Sequence, residues 1–242
     1  MSYRLLRRLA MSLTLLALTG LTALPGSAQD QKPPQDFKDL KLDLAAYGIP
    51  PVEAKKETSG FVVGGKNATA LLRTLKEING RSIADLEKDM RPGAKSDVGS
   101  RAGFLGKDEK LLDILAMDNQ YVVDELKLTH QELARQLHTF GAIGRWQRTN
   151  KQEGAEFVYH GRRFKVVVKS TKGIQPSPFY DDTKSGSVAT VTNLDTGKML
   201  TYGLLVPYMV ERYGFYEGRG TPYRLEPRTA LEVLDFLKAK KP

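Results

Sequence analysis

The chain reads as an α+β protein, with a helical N-terminal part followed by a four-stranded antiparallel sheet packed against a C-terminal helix. Three observations predict this order. Apolar residues recur at helical spacing between residues 68 and 140, alternate at strand spacing between 156 and 205, and return to helical spacing after Pro227. The 242 residues are 40% hydrophobic and 27% charged, enough to bury a core in one domain or two small ones. With no Cys, disulfide scaffolds, thiolate metal sites, Cys nucleophiles and a lipid-modified N-terminal Cys are excluded, and three His leave little material for a histidine-rich metal centre. Neither a metal nor a cofactor is expected.

Residues 1–28 have the three-part layout of a secretory signal peptide. Arg4, Arg7 and Arg8 form a positive start, an apolar stretch runs from Leu9 to Leu24, and Pro25-Gly26-Ser27-Ala28 supplies a break and small residues at the minus-three and minus-one positions of a cleavage after Ala28. The apolar stretch is shorter than the roughly 20 residues that span a bilayer and is interrupted by Ser12, Thr14, Thr19 and Gly20, so cleavage, with no remaining transmembrane span, is expected. The protein is therefore expected in the periplasm or outside the cell. Cleavage removes three Arg and no acid, lowering the net charge from +9 to +6. Residues 29–60, rich in Lys, Asp and Pro, read as an extended, mostly disordered leader with one docking turn between Phe37 and Tyr47.

A helical subdomain is expected over residues 61–145. Asn67 caps a helix carrying Leu71, Leu72, Leu75 and Ile78 on one face, ended by Asn79-Gly80. Ser82 caps a second helix to about Met90. Residues 93–106, with four Gly and two Ser, read as a loop. Three apolar stripes follow, on Leu111, Leu112 and Leu115, on Val122, Val123 and Leu126, and on Leu133, Ala134, Leu137 and Phe140. The third begins at a capping box, Thr129 to Glu132, and is expected to end at Gly141 or Gly144.

Residues 146–242 read as antiparallel β structure with helices. His160-Gly161 joins residues 156–159 to 162–169 as a hairpin; Phe164, Val166 and Val168 face the core while Arg163, Lys165, Val167 and Lys169 face outward. Leu194-Asp195-Thr196-Gly197 turns a second hairpin between residues 187–193 and 198–205. The connection from Ser170 to Gly186 is long, of the kind that carries function. Pro207 starts a short helix, residues 214–223 form a Gly- and Tyr-rich loop, and the terminal helix after Pro227 presents Ala230, Val233, Leu234 and Leu237 to the sheet.

No familiar catalytic motif is present, and no catalytic residue is assigned. His130 and His138 are eight residues apart on one helix, roughly 12 Å along its axis, too far to share a metal. One charge feature stands out: between Arg145 and Gln175 eight basic residues face two acids. Arg145, Trp146, Arg163, Lys165 and Lys169 are the candidate ligand-binding residues, a cation-and-aromatic surface for an anionic envelope polymer or protein. The leading expectation is thus an exported, non-enzymatic binding module. One alternative is a secreted hydrolase with a site under the 170–186 loop, using Asp181 or Asp182 with His160. Another is a winged-helix nucleic-acid binder, because residues 121–134 resemble a helix-turn-helix ahead of a hairpin. Lys127, standing where Gly is common, the acidic Glu132 and the export signal weigh against it.

Overall fold

The computed structural model of the protein describes residues 35–36, 72 and 74–240. The expected signal segment, residues 1–28, lies outside the described residues, as does the expected leader apart from Gln35–Asp36, which forms strand β1. Leu72 and Thr74 are helical, but the expected helix does not reach Ile78. Glu77–Ile78 (β2) and Arg81–Ser82 (β3) instead pair as a hairpin, because Asn79 and Gly80 both take left-handed backbone (φ 51° and 73°), the geometry of a two-residue hairpin turn. Ser82 caps α1 (Ile83–Asp89), accepting a hydrogen bond from the Asp85 amide at 3.1 Å.

The next two stripes share one continuous element rather than two helices. α2 (Leu111–Asn119) runs directly into a wide π-helical turn over Gln120–Glu125, closed by Lys127 in left-handed conformation (φ 57°). α3 (His130–Thr149) then starts at the capping box, with both reciprocal bonds formed between Thr129 and Glu132. It does not stop at Gly141 or Gly144. A Cβ at Gly144 would lie 2.5 Å from Val168 Cγ2, and one at Gly141 would lie 3.0 Å from Leu204 Cδ2. These glycines let the helix lie down on the sheet, and the helix runs through the expected boundary at 145/146.

The sheet is a meander of β4 (Glu156–Tyr159), β5 (Arg162–Pro176), β6 (Lys184–Asn193) and β7 (Met199–Gly203), each antiparallel to the last. β1 adds a fifth, parallel strand beside β4. β5 and β6 are longer than expected, so the connection between them shrinks to residues 177–183. Phe164, Val166 and Val168 are buried beneath α3, as the alternation predicts.

α4 (Val206–Tyr213), begun with Pro207 in its first turn, packs on α3. α5 (Pro227–Val233) covers β6 and β7, and a terminal 3₁₀ turn (Asp235–Lys240) sets Phe236 against Tyr159 of β4 and Phe164 of β5. Asn193 fastens that end of the sheet, donating to the Val233 carbonyl at 2.9 Å while accepting from the Asp195 and Thr196 amides. The buried side chains from Leu72 to Leu237 form one cluster, shared by the helices and the sheet. All covering helices lie on one face of the four-stranded meander, and its other face stays open to solvent among the described residues.

Candidate functional site

The bulged end of the β5–β6 pair walls a cavity of about 550 Å³. Ser170 stands opposite Ser187 and Gln175 opposite Ser185, so four residues of β5 face the single Gly186. The extra chain arches outward. Gly186 is required there: a Cβ on it would fall 2.5 Å from the Gly173 carbonyl oxygen. The Gln175 amide ties the arch to the 93–106 loop by donating to the Val98 carbonyl at 3.1 Å. That loop forms the facing wall with Phe104, and Leu205 and Val206 line the cavity at the start of α4. Ile174 and Tyr223, exposed at 68% and 60%, are among the few large apolar side chains left in solvent, and both line this cavity.

Two polar groups inside are unusual. Ser185 Oγ is buried with no hydrogen-bond partner among the described residues. Glu217 is 5% exposed, and among the described residues its carboxyl receives a single hydrogen bond, from Thr221 Oγ1 at 3.1 Å. Burial pushes its pKa up to about 7, against the Thr221 bond and the attraction of Arg224. Its backbone is left-handed (φ 68°), a conformation that costs a non-glycine residue about 1–2 kcal/mol. The surrounding loop holds it there. Gly218 N–H donates to the Phe104 carbonyl at 2.8 Å, Gly220 N–H to Glu109 Oε1 at 3.1 Å, and Arg224 to the Glu217 carbonyl. Of the residues lining the cavity Glu217 is the one acid, while Arg101, exposed, is the one base.

Behind the loop lies a polar core. Arg224 grips Asp118 through both oxygens, at 2.6 and 3.1 Å, with the two side chains 5% and 3% exposed. Burial raises the Asp118 pKa even so, outweighing Arg224. His130, fully buried, places Nδ1 2.8 Å from Tyr216 Oη and Nε2 3.3 Å from Asn119 Oδ1. Since Asn119 Oδ1 only accepts, Nε2 carries the proton and Tyr216 donates to Nδ1. Burial pushes the His130 pKa down to about 4, keeping the ring neutral.

The five residues singled out from the sequence do not converge. Arg163, Lys165 and Lys169 project from the open face of β5, whereas Arg145 and Trp146 lie half-buried on α3, on the covered side of the sheet. Arg163 is held by Asp195 at 2.9 Å, and Lys165 stands opposite Glu156 in the strand register. The charge concentration along the chain is thus divided between two faces.

Nor do the hydrolase residues meet. His160 is stacked on Phe236 at the β4–β5 turn, and Asp181 and Asp182 sit beyond the other end of β5, on the order of 40 Å away for a strand of this length. Asp181 accepts from Tyr213, Arg212 and the Thr183 amide, which together outweigh burial and lower its pKa. The segment expected to roof that site does line the cavity, but with Glu217 beneath it. The would-be recognition helix of a winged fold is α3. Its first turns bury His130, Leu133, Ala134 and Leu137 in the core and leave the half-buried acid Glu132 and the exposed Arg135 on the outer face.

Glu217 was not singled out from the sequence. Its signal there is slight, an acid directly following Phe215-Tyr216 between glycines. Among the described residues no group of three or more His, Cys, Asp or Glu is placed to hold a metal ion, and no helix is long and apolar enough to cross a membrane. No protein-family model, curated protein or solved structure matches the chain.

Proposed function

We propose that this chain is an exported, non-enzymatic binding protein whose ligand site is the cavity under the β5–β6 arch. The observation that carries the reading is one largely apolar cavity, of the volume that small-molecule sites occupy, enclosing a buried carboxyl with a single hydrogen bond. No base or nucleophile with an orienting partner faces Glu217 among the lining residues, which favours binding over catalysis. Ligand-observed NMR of the full chain against a small-fragment collection tests it. Fragments bind the wild type and are lost in Ser187→Phe, which fills the cavity; fragment binding that survives the filled variant, or no binding to either, overturns the reading. Export is tested separately, by N-terminal sequencing of the protein from fractionated cells, where a chain starting at Gln29 outside the cytoplasm is the expected result.

A second reading keeps the anionic envelope polymer or protein as partner. Lys165 and Lys169 lie on one face of one strand, roughly 13 Å apart, exposed and without an ion pair among the described residues. Charge reversal at Arg163, Lys165 and Lys169 then abolishes retention on polyanion or cell-wall fractions; unchanged retention removes this reading and leaves the cavity untouched.

A further inference from the structure

We infer that the cavity takes an amphiphile with an amino head, its ammonium group seated on the Glu217 carboxylate and its apolar body running along Phe104, Leu205 and Val206 to Ile174 and Tyr223 at the mouth. The inference rests on the cavity being the ligand site and assigns the chemistry of what fills it. A carboxylate offers about four acceptor positions, and Thr221 occupies one. An ammonium group brings three donors and the missing positive charge, whereas a hydroxyl brings one donor and no charge. A carboxylate head meets like charge on the inner wall. Ser185 Oγ supplies a further polar contact free to serve a head group. The remaining lining is mostly apolar or glycine, suited to an alkyl or aromatic body.

The charged groups around Glu217 are few. Arg224 lies behind it, already engaged by Asp118 of α2, and Glu109 holds the Gly220 amide on the far side of the loop. Arg101 and Tyr223 stand at the rim. His130, linked through Tyr216, stays neutral across the range that matters, since its pKa is about 4. Glu217 itself changes charge near pH 7, so ammonium binding requires its ionised form and weakens as pH falls.

Isothermal titration of the full chain with octylamine, octan-1-ol and octanoate, at pH 8 and pH 6, is the test. Octylamine is expected to bind at least about tenfold more tightly than either other probe at pH 8, and about tenfold more weakly at pH 6 than at pH 8, the ratio of ionised Glu217 for a pKa near 7. In Glu217→Gln both the preference and the pH dependence disappear. The three-probe comparison is made on the wild type, so it stands whether or not that variant folds. Equal binding of the three probes, preference for octanoate, or an amine preference that persists in Glu217→Gln overturns the amine assignment while leaving the cavity as a ligand site. Failure of every probe to bind overturns both.

Discussion

Asp118 and Glu217 are two buried carboxyl groups on either side of one arginine, and the molecule treats them differently. Arg224 gives Asp118 two charge-assisted hydrogen bonds and gives Glu217 only a bond to its backbone carbonyl. The first acid sits with its arginine at the edge of a smaller, polar recess, while the second lines the larger, mostly apolar cavity. A buried charge with a matched partner serves as a strut, because removing either half strands the other; a buried carboxyl with spare acceptor capacity has room for a further donor. Arg224 links the two by fixing the loop that carries Glu217.

The largest effect that sharpens this contrast is at the strut. Arg224→Met leaves Asp118 buried without its cation and is expected to cost about 3–5 kcal/mol by urea denaturation, with much of the loss recovered when Asp118→Leu is added. A loss below about 1 kcal/mol breaks the comparison.

Glu217 is expected to behave oppositely. Its folded pKa of about 7 lies above its unfolded value of about 4.5, so its contribution is full below the lower value and is lost as pH rises through 7. Glu217→Gln is therefore more stable than wild type by about 3 kcal/mol at pH 8, the gap closing toward pH 4.5. The comparison must be made as a difference between the two proteins, because His130, with its pKa lowered to about 4, imposes the reverse slope on both: its stabilisation is lost as pH falls from 6.5 toward 4.

A smaller change is expected at the cavity wall. Gly186→Ala drives a Cβ into the Gly173 carbonyl and costs about 1–3 kcal/mol while displacing the arch, so fragment binding weakens and the Asp118–Arg224 pair is undisturbed. Thr221→Val removes the one hydrogen bond to the Glu217 carboxyl. It is expected to cost about 1 kcal/mol and to move the Glu217 titration, read by NMR, further upward. Least of all, reversing Lys169 changes stability by no more than about 0.5 kcal/mol, since it is exposed and without an ion pair among the described residues, whereas reversing Lys165 sets like charge opposite Glu156 and costs up to about 1 kcal/mol.

Much of the framework was legible along the chain. The Ser82 cap, the Thr129–Glu132 box, the two hairpin turns and the inward set Phe164, Val166 and Val168 all follow from chemistry within a few residues. The failures came where a local signal has two meanings. Gly141 and Gly144 carry the mark of a helix stop, but against Leu204 and Val168 they are the absence of a side chain that the sheet has no room for. Asn79-Gly80 carries the mark of a helix stop, but the helix has already ended after Thr74, and the pair instead turns a hairpin that takes Ile78 into a strand. The basic run from Arg145 to Lys172 looked like one surface because spacing along a chain says nothing of which side of a sheet each residue reaches.

The sequence by itself determined the fold class, the order of helices and strands, and which face of β5 is apolar, since periodicity, caps and turns act over three or four residues. Tertiary structure alone decided the site. Phe104, Ser185 and Glu217 are separated by tens of residues, the arch opposite Gly186 arises from a register between two strands, and the cavity that Glu217 lines draws its walls from segments as far away as residues 100–104. A carboxyl group's chemistry depends on how much water and which partners surround it, and those are properties of packing that no short stretch of sequence contains.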